Sequence, residues 1–479
     1  MNLPRLRAIR SVIAIGLCLS LSSPADASAS AYGMLGSPGD GGIGDPYFPK
    51  HGNGGYDVLS YDIAARFNPA NERLTGTTTV RFRATQRLTV FNLDLVLRAS
   101  AVSVDGRSAR FIQGGHEMHI RPATAIAKGA IVKVRVRYGG VPEDVSHLGV
   151  RPWVTTGDGA VAVGQPEIAA WWFPSNDHPS DKARFNIVLS VPAGKQAISN
   201  GAYLGRTTAN GWSTFRWRLS EPAAPYLVFA AFGDYEIERG ETASGRPYLY
   251  AFSEHLGPVS RPARRSLRFT AEATEFLERQ FGPYPFRWIG GVAPAEGLGF
   301  ALENQTRPVY SPLFFTTGPH RGVVIHEMAH QWFGDAIAVR RWQYIWLNEG
   351  FATYAEWLYT PVQYGGPTPQ QQLMELYDGI GARDPFWDLR IGDPGPDNLF
   401  DRAVYDRGAM TLQALRNRVG TGDFFTIARA WVHDNADGLG STREFRRLSE
   451  RISGEDLEAF FDAWLFTASK PARTTDNGL

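Results

Sequence analysis

The stretch from Val323 to Trp357 constrains this chain more than any other. It reads VVIHEMAHQWFGDAIAVRRWQYIWLNEGFATYAEW and carries His-Glu-x-x-His at His326, Glu327 and His330. Positions i and i+4 of a helix share one face, so two imidazoles spaced in this way can reach one ion. Glu327, turned about 100° from His326, stands beside that ion without ligating it and can take a proton from water. Apolar Val323, Val324, Met328, Trp332 and Phe333 surround these polar positions, as a buried helix requires. A catalytic zinc takes three protein ligands and leaves one position open. Asn348-Glu349-Gly350 offers the third, because Glu349 follows His330 by nineteen residues and a second helix can bring it back. Two neutral imidazoles and a carboxylate suit one Zn(2+) ion, though other divalent metals accept the same donors.

The pattern therefore predicts a zinc metallopeptidase, and the rest of the chain bears on which kind. At 479 residues it exceeds one ordinary core and suggests two to three domains. A net charge of +1 gives no reason to expect nucleic acid or an anionic membrane as a partner. Residues 1–29 read as a secretory signal peptide: Arg5, Arg7 and Arg10, an apolar run from Val12 to Leu21, then small Ala-rich residues. Cys18, the only cysteine, lies inside that run, so the exported chain is expected to lack disulfides and thiol chemistry. Nothing later reaches eighteen consecutive apolar residues, and no stable membrane insertion is expected. A secreted, bacterial type of enzyme fits these features.

Residues 30–55 are rich in Gly and Pro and read as an extended lead-in or linker. From 56 to 255 the pattern is that of strands. Asp57–Ala65, Thr77–Ala84, Ala130–Tyr138 and Arg184–Val191 alternate apolar and polar residues, and Asp105-Gly106 and Asn210-Gly211 supply turns. The aromatic loop Trp171–Pro179 reads as a core corner, with a cleft rim as its functional alternative; His116 and His119 read as structural. From 256 to 471 helical spacing dominates, with Thr368 and Pro369 marking one helix start. The tail, 472–479, is polar and expected to fray.

These residues resemble the zinc aminopeptidases related to aminopeptidase N, a group of gluzincin metallopeptidases. The resemblance covers roughly residues 50–470. It matches the ligand set at His326, His330 and Glu349, the base at Glu327, and a Gly-Ala-Met-Glu-Asn motif at Phe300-Ala301-Leu302-Glu303-Asn304, with Phe300 and Leu302 departing from the common form. Tyr405-Asp406-Arg407-Gly408 fits the place of the family's catalytic tyrosine. The implied fold is multidomain, an N-terminal saddle-like β-sandwich followed by a thermolysin-like, mostly helical catalytic domain. A compact form is expected, because the stretch after Pro471 does not resemble the family's helical C-terminal cap. The implied roles are Tyr405 as oxyanion donor, Glu303 with Asn304 as recogniser of a substrate's α-ammonium, and Glu167 as a helper in that recognition. Glu356, seven residues after Glu349 on the same helical face, is placed to support a ligand histidine. Release of N-terminal amino acids from peptides is the activity implied. A zinc endopeptidase with an open cleft, or a non-catalytic binding protein that retains the metal site, are the alternatives.

Overall fold

The computed structural model describes residues 39–146 and 152–479; the expected signal segment and residues 30–38 of the lead-in lie outside the described residues. The first part is built on an eight-stranded sheet. Its order is Ala202–Ala209, Trp212–Ala223, Ala183–Pro192, Tyr56–Asn68, Arg73–Ala84, Ile131–Gly140, Arg98–Val104 and Arg107–Ser108. Tyr56–Asn68 pairs with Ala183–Pro192 in parallel, whereas the other pairings are antiparallel. Alternation puts Tyr61, Ile63, Ala65 and Phe67 inward along the first strand. Val58 also points inward, and the odd step from 58 to 61 is absorbed by a register shift between Val58 and Ser60. Smaller sheets of four and three strands accompany this one.

A five-stranded mixed sheet follows, ordered Tyr235–Glu241, Pro247–Ser253, Ile289–Ala293, Val309–Tyr310, Ala301–Leu302. Pro247–Ser253 pairs in parallel with Ile289–Ala293. An expected boundary at 255/256 therefore cuts through one sheet: strand-like residues before it pair with strands after it, which alternation alone cannot reveal. Eight longer helices follow among the described residues: α1 (Ser260–Arg268), α2 (Thr270–Phe281), α3 (Arg321–His330), α4 (Trp346–Tyr364), α5 (Pro369–Gly379), α6 (Arg402–Val419), α7 (Thr421–Asp434) and α8 (Thr442–Ser453). Thr368 caps α5 in a reciprocal capping box with Gln371.

Three expectations are settled here. Trp171, Trp172 and Phe173 are wholly buried, so the aromatic loop is a core corner and not a cleft rim. The tail is docked rather than frayed: Trp464 Nε1 donates to Asn477 O at 3.1 Å, Asn417 Nδ2 donates to Gly478 O at 2.8 Å, and Arg418 pairs with Asp476 at 3.0 Å. The lead-in, over its described part, is a strap and not a loose linker. Asp45 accepts from the Trp342 N–H at 2.9 Å and faces His178 Nε2 at 3.1 Å. Tyr47 bonds the Asp393 carboxylate and accepts from the Gly395 N–H at 2.8 Å. Composition pointed to a linker because Gly and Pro dominate, but the few polar side chains between them find partners hundreds of residues away.

Burial pushes the Asp45 carboxyl up, but His178 and the N–H groups of Trp342 and Tyr47 outweigh it and hold the pKa at about 2. A folded-state pKa below the unfolded one stabilises the fold above the unfolded pKa, and that contribution is lost as pH falls through the folded value. Asp45→Ala should cost about 2–3 kcal/mol at neutral pH, read from urea unfolding. The gap between wild type and variant should shrink as pH drops from about 4 towards 2; a gap that is constant down to the lower pH would contradict the assignment.

Candidate metal centre and the cleft around it

Helix α3 starts where His320 Nδ1 accepts from the Val323 N–H at 3.0 Å, and it ends at His330. Helix α4 returns alongside it. The two are locked by Phe333 and Phe351, stacked at 3.9 Å with 4° between ring planes. This return brings Glu349 to the histidines. Its Oε2 lies 3.3 Å from His326 Nε2 and 3.3 Å from His330 Nε2. The other ring nitrogens are taken by oxygen acceptors: His326 Nδ1 lies 2.8 Å from Glu356 Oε1, and His330 Nδ1 lies 3.1 Å from Phe333 O. Those bonds keep a proton on Nδ1 of each ring and turn both Nε2 atoms towards Glu349, where each becomes a ligand atom once it is unprotonated. Two imidazole nitrogens and one carboxylate oxygen facing a common point are a donor set that fits a divalent cation of the zinc type. Glu356 thus takes the supporting position expected of it.

Burial raises the Glu349 carboxyl, but the two imidazoles, which its charge in turn favours in their protonated form, outweigh burial and hold it at about 2. Burial pushes the Glu327 carboxyl up to about 8, with His326 and His330 opposing. A cation held between the ligands would draw Glu327 back towards ionisation, since an opposite charge nearby favours the charged form.

Tyr405 is delivered by a close helix crossing. A Cβ on Gly350 would sit 3.0 Å from Gly408 Cα, and one on Gly408 would sit 2.8 Å from Gly350 Cα, so only glycine on both sides lets α4 and α6 approach this closely. Tyr405, one turn before Gly408 on α6, consequently lies over His326, with ring centroids 6.0 Å apart and planes 21° from parallel. Burial keeps its hydroxyl well above the usual phenol range, so it stays a donor.

Glu303 and Asn304 follow the edge strand Ala301–Leu302. An oxygen of Glu303 lies within 4.8 Å of both Glu327 and His330 ligand atoms. Glu303 Oε1 accepts from Tyr226 OH at 3.1 Å and from Gln165 Nε2 at 3.2 Å, and Glu303 O accepts from Gln331 Nε2 at 2.9 Å. Among the described residues no Lys or Arg pairs with Glu303. Asn304 Nδ2 donates to Leu227 O at 3.1 Å, so Asn304 holds the neighbouring turn.

Glu167 needs a correction. It is 3% exposed and packs 3.5 Å from His51 of the lead-in, and the residue of that turn that reaches Glu303 is Gln165. Side chains two positions apart on an irregular turn point in unrelated directions, so nothing in the local pattern separates them. Gln165, Tyr226 and Gln331 were not anticipated. Only Gln331 carried a signal, standing directly after His330.

Glu356→Ala should weaken metal affinity by roughly 10–100-fold while leaving His326, His330 and Glu349 in place. Competition with a chelator of known affinity measures it, and an unchanged dissociation constant would remove Glu356 from the support of His326.

Residues 58–227 match the Peptidase M1 N-terminal domain and residues 298–464 match the Peptidase family M1 domain. Aminopeptidase M1-D of Oryza sativa is 26% identical over 61% of this chain and 35% of its own length. Aminopeptidase 2 of Candida albicans is 24% identical over 85% of this chain and 46% of its own. The chain thus spans between a third and a half of the length of the curated relatives it matches. An M1 zinc metallopeptidase from Deinococcus radiodurans aligns with a TM-score of 0.80 at 26% identity, over 90% of this chain and 99% of that one. A mutant of an M1 zinc metallopeptidase from the same organism, with the same TM-score of 0.80, was solved bound to a Tyr-Ser-Ala substrate. The two domain matches jointly cover more than half of the sequence, the metal-centre residues fall inside the second, and the chain belongs to peptidase family M1.

Proposed function

We propose that this chain is a zinc-dependent aminopeptidase, holding one Zn(2+) and releasing single residues from the amino ends of peptides. The observation that carries the reading is Glu303. It is a buried carboxylate beside the metal centre, with hydrogen-bond donors but no Lys or Arg partner among the described residues. An ionised group in that setting is costly unless a cation joins it. A peptide's α-ammonium is such a cation. Holding it there leaves only the first peptide bond within reach of the centre, which separates this activity from internal cleavage.

His326, His330 and Glu349 would hold the zinc. Bound there, it supplies Lewis acidity, making water a stronger acid and polarising the scissile carbonyl. Glu327 takes the proton of the attacking water and passes it to the departing amine. The Tyr405 hydroxyl donates to the oxygen on which negative charge develops. The Tyr-Ser-Ala substrate bound to the Deinococcus radiodurans mutant is consistent with short peptides as substrates. Residues 1–29 are proposed to direct export. N-terminal sequencing of enzyme recovered outside the cytoplasm tests that, and a start at Met1 would oppose it.

A defined ten-residue peptide, incubated with zinc-loaded enzyme and followed by mass spectrometry, should shorten one residue at a time from its amino end. Chelation should stop the series, and added zinc should restore it. Internal fragments as first products would contradict the aminopeptidase reading. Tyr405→Phe should lower kcat by about 10²–10³ with KM little changed, as loss of an oxyanion donor does; a kcat near wild type would exclude that role.

A further inference from the structure

Two donors meet on the same oxygen of Glu303, and they differ in character. Gln165 Nε2 comes from a half-buried amide at 3.2 Å. Tyr226 OH comes at 3.1 Å from a side chain that is 1% exposed. Tyr226 sits in the short 3-10 turn Pro225–Leu227, which links the eight-stranded and four-stranded sheets of the first part of the chain. Its ring meets Trp342 edge-on, with centroids 5.2 Å apart. Trp342 is itself held by Asp45 of the lead-in strap, at 2.9 Å from its N–H. The carbonyl of the next residue, Leu227, accepts from Asn304 Nδ2 at 3.1 Å and from Asn200 Nδ2 at 2.8 Å. One turn therefore grips both Glu303 and Asn304, and the ring that delivers the hydroxyl has no room to swing away.

We propose that Tyr226 is the positioning residue for amine recognition. By donating to Oε1 of Glu303, it fixes the rotation of that carboxylate and leaves the second oxygen to receive the substrate's α-ammonium. The proposal rests on the aminopeptidase reading above and extends it to a residue of the N-terminal part that need not touch substrate. A carboxylate held by the Gln165 amide alone keeps a torsional freedom that amine binding must then freeze out. The amine contact is made in the bound substrate and in the transition state alike, so its weakening raises KM and leaves kcat. A purely structural tyrosine would act otherwise: its loss lowers the melting temperature and disturbs the metal centre, and kcat falls.

The test uses the full zinc-loaded chain and Tyr226→Phe, which deletes one oxygen and keeps the ring against Trp342. With a free-amine aminoacyl anilide as substrate, KM should rise roughly ten- to hundredfold, the equivalent of one hydrogen bond to a charged group. Values of kcat, zinc content and melting temperature should match wild type. A second measurement avoids turnover. In a Glu327→Ala background, calorimetric binding of L-leucine amide should weaken by the same factor when Tyr226→Phe is added. Unchanged KM and unchanged binding in an enzyme that does shorten peptides from the amino end would overturn the role of Tyr226 alone. A fall in kcat with zinc loss at constant KM would overturn it in favour of a structural role. If wild type makes internal cuts instead, the aminopeptidase reading fails, and this proposal fails with it.

Discussion

The approach of α4 to its neighbours is the constraint on which the rest of the site depends. Glu349 can complete the centre only if α4 lies flat against α3, and the Phe333–Phe351 stack holds it there. Tyr405 can reach His326 only if α6 lies equally close on the other side, and the Gly350–Gly408 crossing permits that. Three elements far apart in sequence are thus brought to one point by two contacts, one aromatic and one backbone to backbone. Because packed interiors do not absorb even a methyl group without shifting, both contacts are specific to the residues present.

The charge balance of the cleft follows from that convergence. Glu303, Glu327 and Glu349 are all buried, within a short distance of two imidazoles and of no arginine or lysine partner among the described residues. An interior so arranged favours cations at two places, between the histidines and Glu349, and beside Glu303. The first suits a metal ion and the second an ammonium group. The chemistry of an exopeptidase needs both, at a fixed separation.

How much of this was legible in the sequence depended on how local each relation is. His326, Glu327 and His330 are set by one turn of helix, and Glu349 and Tyr405 stand beside Gly350 and three before Gly408, the glycines of the crossing, so spacing and motif were enough. Glu356 follows from helical periodicity on α4. Gln165 and Tyr226 are set by how two irregular turns meet across 61 positions of chain, which no period encodes. The same holds for Asp45, whose bond to Trp342 spans 297 positions. A Gly- and Pro-rich composition describes the freedom of an unfolded segment and is silent on the few side chains that remove it. The strands Tyr235–Ser253 were recognisable as strands, but the identity of their partner was not, because pairing is a property of the sheet and not of the strand.

The central claim is that a fixed carboxylate beside a metal centre selects a free amino end. The most direct measurement compares an aminoacyl anilide with its N-acetylated twin, under equal zinc loading. The account predicts that acetylation, which removes the positive charge of the α-amine, abolishes cleavage in practice. Equal kcat/KM for the two compounds would contradict it.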